Sequence, residues 1–105
     1  MFDIESIQAL FDGDAVNYRK HFTTRIEERN ITKAEVAHAI LSGEIIEQCP
    51  DDEPLPSVLI LGYTKNNEPL HIAVGVDDYA IWLITTYRPT LDIWESDYKT
   101  RKVIV

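Results

Sequence analysis

Apolar residues recur at helical spacing through the first half of the chain. The first amphipathic segment predicts a short helix, and its apolar residues are Ile4, Ile7, Ala9, Leu10 and Phe11. Asp12-Gly13-Asp14 is expected to stop this helix, and Asp14 to cap a second helix that runs to about Arg29. The predicted buried stripe of the second helix consists of Tyr18, Phe22 and Ile26, which lie four positions apart.

A third helix is predicted to begin at Thr32. Glu35 follows three residues later, which is the capping-box spacing. Its apolar face is expected to contain Val36, Ala37, Ile40 and Leu41. Gly43 follows the last turn and is expected to adopt the left-handed conformation there.

The second half of the chain changes to strand-like patterns. Runs of apolar residues bounded by turn residues predict strands at Glu44–Cys49, Ser57–Tyr63, Leu70–Val76 and Ala80–Tyr87. Lys65–Glu68 and Asp77-Asp78 are predicted turns, so the last three strands form an antiparallel meander. Val103-Ile104-Val105 is expected to add a final edge strand.

Helices followed by a meander predict an α+β fold, with the N-terminal helices packed on one face of a small antiparallel sheet. Alternation along the Leu70–Val76 strand supports this arrangement. Leu70, Ile72, Val74 and Val76 are expected to face the helices. His71, Ala73 and Gly75 are then expected on the opposite face.

Length and composition favour one soluble domain. The 105 residues, 45% of them hydrophobic, form a single predicted domain over 1–105. We find no apolar run that approaches the length of a membrane span and no signal-peptide pattern, so we expect a cytoplasmic protein. Cys49 is the one cysteine, which excludes a disulfide framework and a cysteine zinc site.

The charge is strongly acidic. The formal net charge is −8, and residues 1–56 hold 12 acidic and 5 basic residues. This balance repels phosphate backbones and disfavours non-specific RNA binding. The basic residues Lys99, Arg101 and Lys102 form a local exception near the C-terminus, where a solvated tail and a phosphate-binding patch are both open interpretations.

Several residues could carry phosphodiester chemistry. His21, Arg25 and Glu28 are expected on one flank of the second helix, where His21 would transfer a proton and Arg25 would stabilise charge. The alternative is an exposed flank with an Arg25–Glu28 ion pair. His71 has the side chain best suited to acid or base catalysis near neutral pH, and its alternative role is a hydrogen-bonded structural histidine.

Residues at the end of the last long strand and beyond it are further candidates. Tyr87 could donate a proton, and Arg88 and Arg101 could bind phosphate. Their alternative roles are a sheet-edge aromatic and solvated arginines. Trp94, Tyr98 and Arg101 are spaced as on one helical flank, which predicts a segment packed on the sheet. Neither a metal nor a cofactor is expected, because no ligand motif is present.

An ordered set of motifs resembles a bacterial family of unknown function. The helical half carries Glu28-Arg29-Asn30-Ile31-Thr32 and Gly43-Glu44-Ile45-Ile46-Glu47, and the strand half carries Pro69-Leu70-His71-Ile72, Tyr87-Arg88-Pro89, Trp94 and Arg101. This set resembles domain-of-unknown-function family 4258 over about residues 18–102, with residues 1–17 as an N-terminal helical extension.

The resemblance implies a fold similar to that of the RelE/ParE/BrnT-type toxin superfamily, some members of which are metal-independent ribonucleases paired with an antitoxin. It also implies a histidine at the position of His71. Two hypotheses follow: a metal-independent endoribonuclease using His71, His21, Arg25 and Tyr87, or a non-catalytic module that binds a protein partner through its acidic surface. A homodimer through Glu44–Cys49 or the strand after Lys102 is a further expectation.

Overall fold

The computed structural model describes residues 2–103, and over that range the chain forms three helices and five strands. The elements in chain order are α1 (Ile4–Asp12), β1 (Val16–Tyr18), α2 (Phe22–Glu28), α3 (Lys33–Leu41), β2 (Glu44–Cys49), β3 (Ser57–Tyr63), β4 (Pro69–Val76) and β5 (Ile81–Tyr87). The predicted α+β class is confirmed. No helix in the described range is long and apolar enough to span a membrane.

The five strands form one mixed sheet in the order β1-β5-β4-β3-β2. The predicted meander β3-β4-β5 is antiparallel, and β2 pairs antiparallel with β3 at one end of the sheet. β1 pairs parallel with β5 at the other end, from Val16 opposite Ile81 to Tyr18 opposite Leu83. The sheet is therefore mixed, whereas the sequence pattern predicted a purely antiparallel sheet.

Short-range signals placed α1 and α3 correctly. Asp3 caps α1 by accepting a hydrogen bond from the Ser6 backbone N–H, and the helix ends at Asp12. Thr32 and Glu35 form the predicted capping box, each side chain accepting from the other residue's backbone N–H. Satisfying these free N–H groups fixes where α3 begins.

The predicted second helix was wrong in its first half. Asp14 has a φ of 61°, which an N-cap residue does not adopt, and the chain then forms β1 instead of helix. Helix α2 begins only at Phe22. Consequently Phe22 and Ile26 are buried as predicted, whereas Tyr18 lies on a strand and is 45% exposed.

The core lies between the helices and one sheet face. Leu70, Ile72, Val74 and Val76 of β4 all belong to it, as their alternation predicted. Helix α3 contributes Val36, Ala39 and Ile40 to the same core, whereas Leu41 is half exposed. The hydrophobic layer thus occupies the helix-covered face of the sheet.

Two glycines are required by close packing. Gly43 has no positive φ, so the expected left-handed conformation was wrong; instead, a Cβ there would lie 2.6 Å from the Ala39 carbonyl oxygen and 2.7 Å from Ile60 Cγ2. A Cβ on Gly62 would overlap the Ala39 backbone. Helix α3 therefore approaches β3 more closely than any side chain on these residues would allow.

Residues 90–102 form a covering segment over the sheet face opposite the helices. The segment is not helical: Trp94 forms an antiparallel bridge with Arg101, and Lys102 N–H donates to the Ile93 carbonyl. The expected helical flank of Trp94, Tyr98 and Arg101 was therefore wrong, although Trp94 is buried against the sheet as predicted. Val103 is exposed outside any strand, and residues 104–105 of the predicted last strand lie outside the described range.

Candidate functional site

His71 lies in the middle of the sheet face that the covering segment occupies. It is fully buried, and its position in β4 is opposite Leu61 on one side and Tyr87 on the other. Its Nδ1 lies 3.2 Å from the Tyr87 hydroxyl, and its Nε2 lies 2.6 Å from the Tyr98 carbonyl oxygen. Both ring nitrogens therefore have partners inside the fold.

These partners define the tautomer of His71. A carbonyl oxygen only accepts hydrogen bonds, so Nε2 carries the proton and donates to Tyr98. Nδ1 then accepts from the Tyr87 hydroxyl. Burial lowers the pKa of His71, against the opposing effects of the Tyr98 carbonyl and the Glu47 carboxylate. Burial likewise raises the pKa of Tyr87, so both groups are neutral near pH 7.

Trp94 closes the site from the solvent side. Its ring meets the His71 imidazole edge-on, with centroids 4.4 Å apart, and only 2% of the residue is exposed. The Arg101 guanidinium lies over the Trp94 ring at 4.6 Å. The contacts of His71 with Trp94 and of Trp94 with Arg101 thus extend from the sheet to the surface.

Two ion pairs attach the covering segment to β2. Arg101 donates to both carboxylate oxygens of Glu47, at 2.7 Å and 3.0 Å, and Lys99 pairs with Glu44 at 3.1 Å. The Arg101 hydrogen bond is the main cause of the lowered pKa of Glu47. Most of the predicted basic patch is therefore neutralised by acids on the neighbouring strand.

An irregularity in β2 brings both acids to this face. The register with β3 shifts between Ile45 and Glu47, so the strand contains a β-bulge at Ile46. Without the extra residue, Glu44 and Glu47 would point to opposite faces. The bulge is thus what allows both to contact the covering segment.

The covering segment turns sharply at Asp97 and Tyr98. Asp97 accepts hydrogen bonds from the backbone N–H groups of Lys99 and Thr100 and from the Thr100 hydroxyl, which together lower its pKa. Tyr98 has a φ of 61° in this turn. The turn presents the Tyr98 carbonyl to His71, so a backbone group rather than a side chain completes the site.

The structure does not bring His21 and His71 together. His21 is the exposed residue that precedes α2, and it makes no side-chain capping hydrogen bond. Helix α2 packs on the core face of the sheet, whereas His71 lies on the other face. Arg25 is exposed and pairs with Glu28 at 3.8 Å, as the alternative interpretation predicted.

Arg88 is also separate from the His71 cluster. It donates to the carbonyl oxygens of Arg29 and Asn30, just after α2. Arg29 in turn donates to the Thr86 carbonyl and the Thr85 hydroxyl of β5. This arrangement joins the end of α2 to the outer edge of β5, and it occupies Arg88 with backbone oxygens instead of a phosphate.

Two residues of catalytic type, His38 and Cys49, were not among the predicted site residues. His38 Nδ1 contacts the Tyr63 carbonyl oxygen at 2.6 Å, and Cys49 is exposed. Among the described residues, no group of three His, Cys, Asp or Glu side chains is arranged to hold a metal. The sequence-predicted residues that do converge are His71, Tyr87 and Arg101.

Two participants in the site were missed by sequence reasoning. Sequence reasoning identified Glu47 only as one residue of an edge strand, because its contact with Arg101 depends on the bulge and joins residues 54 positions apart. The Tyr98 carbonyl carries no side-chain signal at all. Only the Gly43-Glu44-Ile45-Ile46-Glu47 motif of the family resemblance marked Glu47 as noteworthy.

Fold and site together define a small α+β domain with three helices on one face of a mixed sheet and a buried His–Tyr–Trp cluster on the other. Residues 18–88 match the family described as "Domain of unknown function (DUF4258)", and the chain belongs to that family. The match ends before Trp94 and Arg101. No curated protein and no solved structure matches the chain.

Proposed function

We propose that this chain is a non-catalytic module that binds a basic segment of a partner protein. Two observations carry this proposal: His71, the best catalytic candidate, is sealed from solvent, and a separate acidic surface is exposed and forms no ion pair with a described residue. A general acid or base must reach the proton that it transfers. His71 has no exposed surface, and both its nitrogens are engaged by Tyr98 and Tyr87.

The contacts of the two predicted phosphate-binding arginines also support a non-catalytic function. Arg101 is held by two hydrogen bonds to Glu47, and Arg88 by two backbone carbonyls. Each would have to give up charge-assisted hydrogen bonds before it met a phosphate. Arg88 and Arg101, the two predicted phosphate-binding residues, are therefore engaged in contacts within the fold.

In contrast to these arginines, the acidic residues of one exposed loop remain accessible to a partner. Asp51, Asp52 and Glu53 follow β2 in an exposed loop, and none of them forms an ion pair with another described residue. Asp52 accepts a hydrogen bond from the Ser57 hydroxyl, which orients the loop. With a net charge of −8, such a surface attracts cationic segments and repels RNA.

The test compares two probes with the purified protein: a short single-stranded RNA, and a synthetic peptide of about eight alternating Val and Lys residues. We expect the peptide to bind with a salt-dependent affinity, and the RNA to be neither bound nor cleaved. Asp51→Asn with Glu53→Gln should weaken peptide binding more than the charge-matched pair Asp12→Asn with Glu27→Gln, which alters exposed acids elsewhere. RNA cleavage that His71→Ala abolishes would overturn the proposal.

A second candidate function is a metal-independent endoribonuclease with a RelE/ParE/BrnT-like toxin fold and an antitoxin partner. The observation that favours it is the convergence of His71, Tyr87 and Arg101 on one sheet face. In this case the covering segment must lift to expose the cluster. Growth toxicity that is lost in both His71→Ala and Tyr87→Phe would support this function, and toxicity unaffected by either change would exclude these residues from it.

A further inference from the structure

We infer that the partner binds at the open edge of β2, where an extended basic segment adds a sixth strand to the sheet. The inference rests on the proposed binding function and names its interface. Among residues 2–103, strand β2 is the last strand on its side of the sheet, with β3 as its one strand neighbour. An edge of this kind presents unpaired backbone N–H and C=O groups that another strand can pair with.

The hydrogen-bond pattern identifies which groups are open. In an antiparallel ladder, alternate residues point their backbone groups to opposite neighbours. Val76 N–H donates to the Pro56 carbonyl and Thr64 N–H to the Glu68 carbonyl, so the even-numbered residues of β3 face β4. The odd-numbered residues face β2 and pair with Glu44, Glu47 and Cys49. Ile45 and Gln48 therefore direct their N–H and C=O groups away from the sheet.

Grooves flank this edge on both sides. One groove, of about 490 Å³, lies between the segment that leads into α1 and β2, and Phe2 and Ile4 supply its apolar wall. The other, of about 310 Å³, lies between β2 and the covering segment at Lys99 and Thr100. Because side chains of an added strand alternate between the two faces, each groove would receive every second side chain.

The other free edges of the sheet are short or blocked. β1 has only three residues. Beyond Leu83, the outer edge of β5 is occupied by Arg29, which donates to the Thr86 carbonyl and the Thr85 hydroxyl. Strand β2 thus offers the longest unblocked edge among the described residues.

Charge complementarity favours a basic segment over a second copy of this chain at the β2 edge. Glu44 and Glu47 are paired with Lys99 and Arg101 on the covering-segment side of this edge. Asp3 in the α1-side groove and the Asp51–Glu53 loop after β2 form no ion pair with another described residue. A second copy of this chain would bring the same acids and another net charge of −8 to the edge. Like charges opposed across paired strands are unfavourable. A basic segment complements the same surface.

The β-bulge in β2 limits which strands can pair with this edge. Ile45 and Gln48 are separated by three positions instead of the usual two, so a fully regular strand cannot pair with both at ideal spacing. This irregularity hinders indiscriminate strand addition, which is a recognised property of bulged edges. We therefore expect partners that pair chiefly with one half of β2.

The test uses the alternating Val/Lys peptide and the matched variants Gln48→Pro and Gln48→Ala. Both variants lose the contacts of the Gln48 side chain with the Phe2 backbone. Only Gln48→Pro also loses the outward N–H, and proline is tolerated on edge strands at such positions. We expect Gln48→Pro to weaken peptide binding about tenfold relative to Gln48→Ala, and the amide resonances of Ile45 and Gln48 to shift in the wild-type protein.

A second probe keeps the test decisive if Gln48→Pro fails to fold. Backbone N-methylation at alternate residues of the peptide should abolish its binding to the wild-type protein. Equal binding of the methylated peptide, or of the unmodified peptide to folded Gln48→Pro, would overturn the edge site while leaving the binding function standing. A wild-type dimer that Gln48→Pro dissociates would overturn the choice of a basic occupant. Absence of peptide binding together with His71-dependent RNA cleavage would overturn both proposals.

Discussion

Replacing Trp94 by alanine is the perturbation that most directly challenges the role of the covering segment. The Trp94 side chain is 2% exposed and lies between His71 and Arg101. Loss of a buried tryptophan costs about 3–5 kcal/mol. The exposed ion pairs of Lys99 and Arg101 contribute about 0–1 kcal/mol each, and the hydrogen bond to Tyr98 contributes about 0.5–1.5 kcal/mol.

These magnitudes indicate that Trp94 contributes about as much as these other attachments together, or more. In Trp94→Ala we therefore expect the covering segment to detach while the core on the opposite face of the sheet stays folded. Burial is the main cause of the lowered pKa of His71, so its pKa should rise toward the ordinary histidine value. The assay is an NMR pH titration of His71, combined with urea denaturation to measure the free energy of unfolding.

Leu91→Ala is the matched control within the same segment. Leu91 is 48% exposed, so we expect a stability change within about 0.5 kcal/mol and an unchanged His71 titration. A folded Trp94→Ala protein in which the pKa of His71 stays lowered would refute the reasoning. In that case something other than Trp94 would hold the segment over the imidazole.

Three further predictions concern stability. His71 has a lower pKa in the folded state than its unfolded value of about 6.5, so its contribution is fully present above pH 6.5 and declines as the pH falls toward the folded pKa, with a slope of at most about 1.4 kcal/mol per pH unit. Urea titrations from pH 8 to pH 5 should show this decline in the wild type and lose it in His71→Gln. Thr32→Ala should cost about 0.5–2 kcal/mol by removing the α3 cap, against little change in the neighbouring exposed variant Lys33→Ala; equal losses would contradict the capping role. Gly62→Ala should cost about 1–3 kcal/mol or more, because its Cβ overlaps the Ala39 backbone, and a neutral result by thermal denaturation would show that α3 can move away.

Local patterns predicted most of the fold. Capping at Thr32 and alternation through Leu70–Val76 are properties of neighbouring residues, and the structure confirms both. Strand β1 could not be predicted from such local patterns. It has three residues, too few to display a strand period, and it forms by parallel pairing with β5, more than sixty positions away. Tyr18 at helical distance from Phe22 therefore suggested a helix that the chain does not form.

The candidate site was predictable residue by residue but not as an assembly. His71 on the face opposite the core follows from strand alternation. Its place beside Tyr87 depends on the β4–β5 register, which shifts between Ala73 and Val74 and which alternation does not determine. Its sealing by Trp94 and the Tyr98 carbonyl depends on an irregular segment with a left-handed residue at Tyr98. The spacing of apolar residues in the sequence does not predict the backbone path of this irregular segment. The same limitation hid the bulge that directs Glu47 toward Arg101.

The tautomer and titration of His71, measured by ¹⁵N NMR of the imidazole with and without RNA, test the central claim most directly. We predict a neutral ring protonated at Nε2 near pH 7, a pKa below the ordinary histidine value and no response to RNA. A ring that titrates near 6.5 and shifts when a short RNA is added would contradict the account. His71 would then be accessible to substrate, and the endoribonuclease would become the better-supported function.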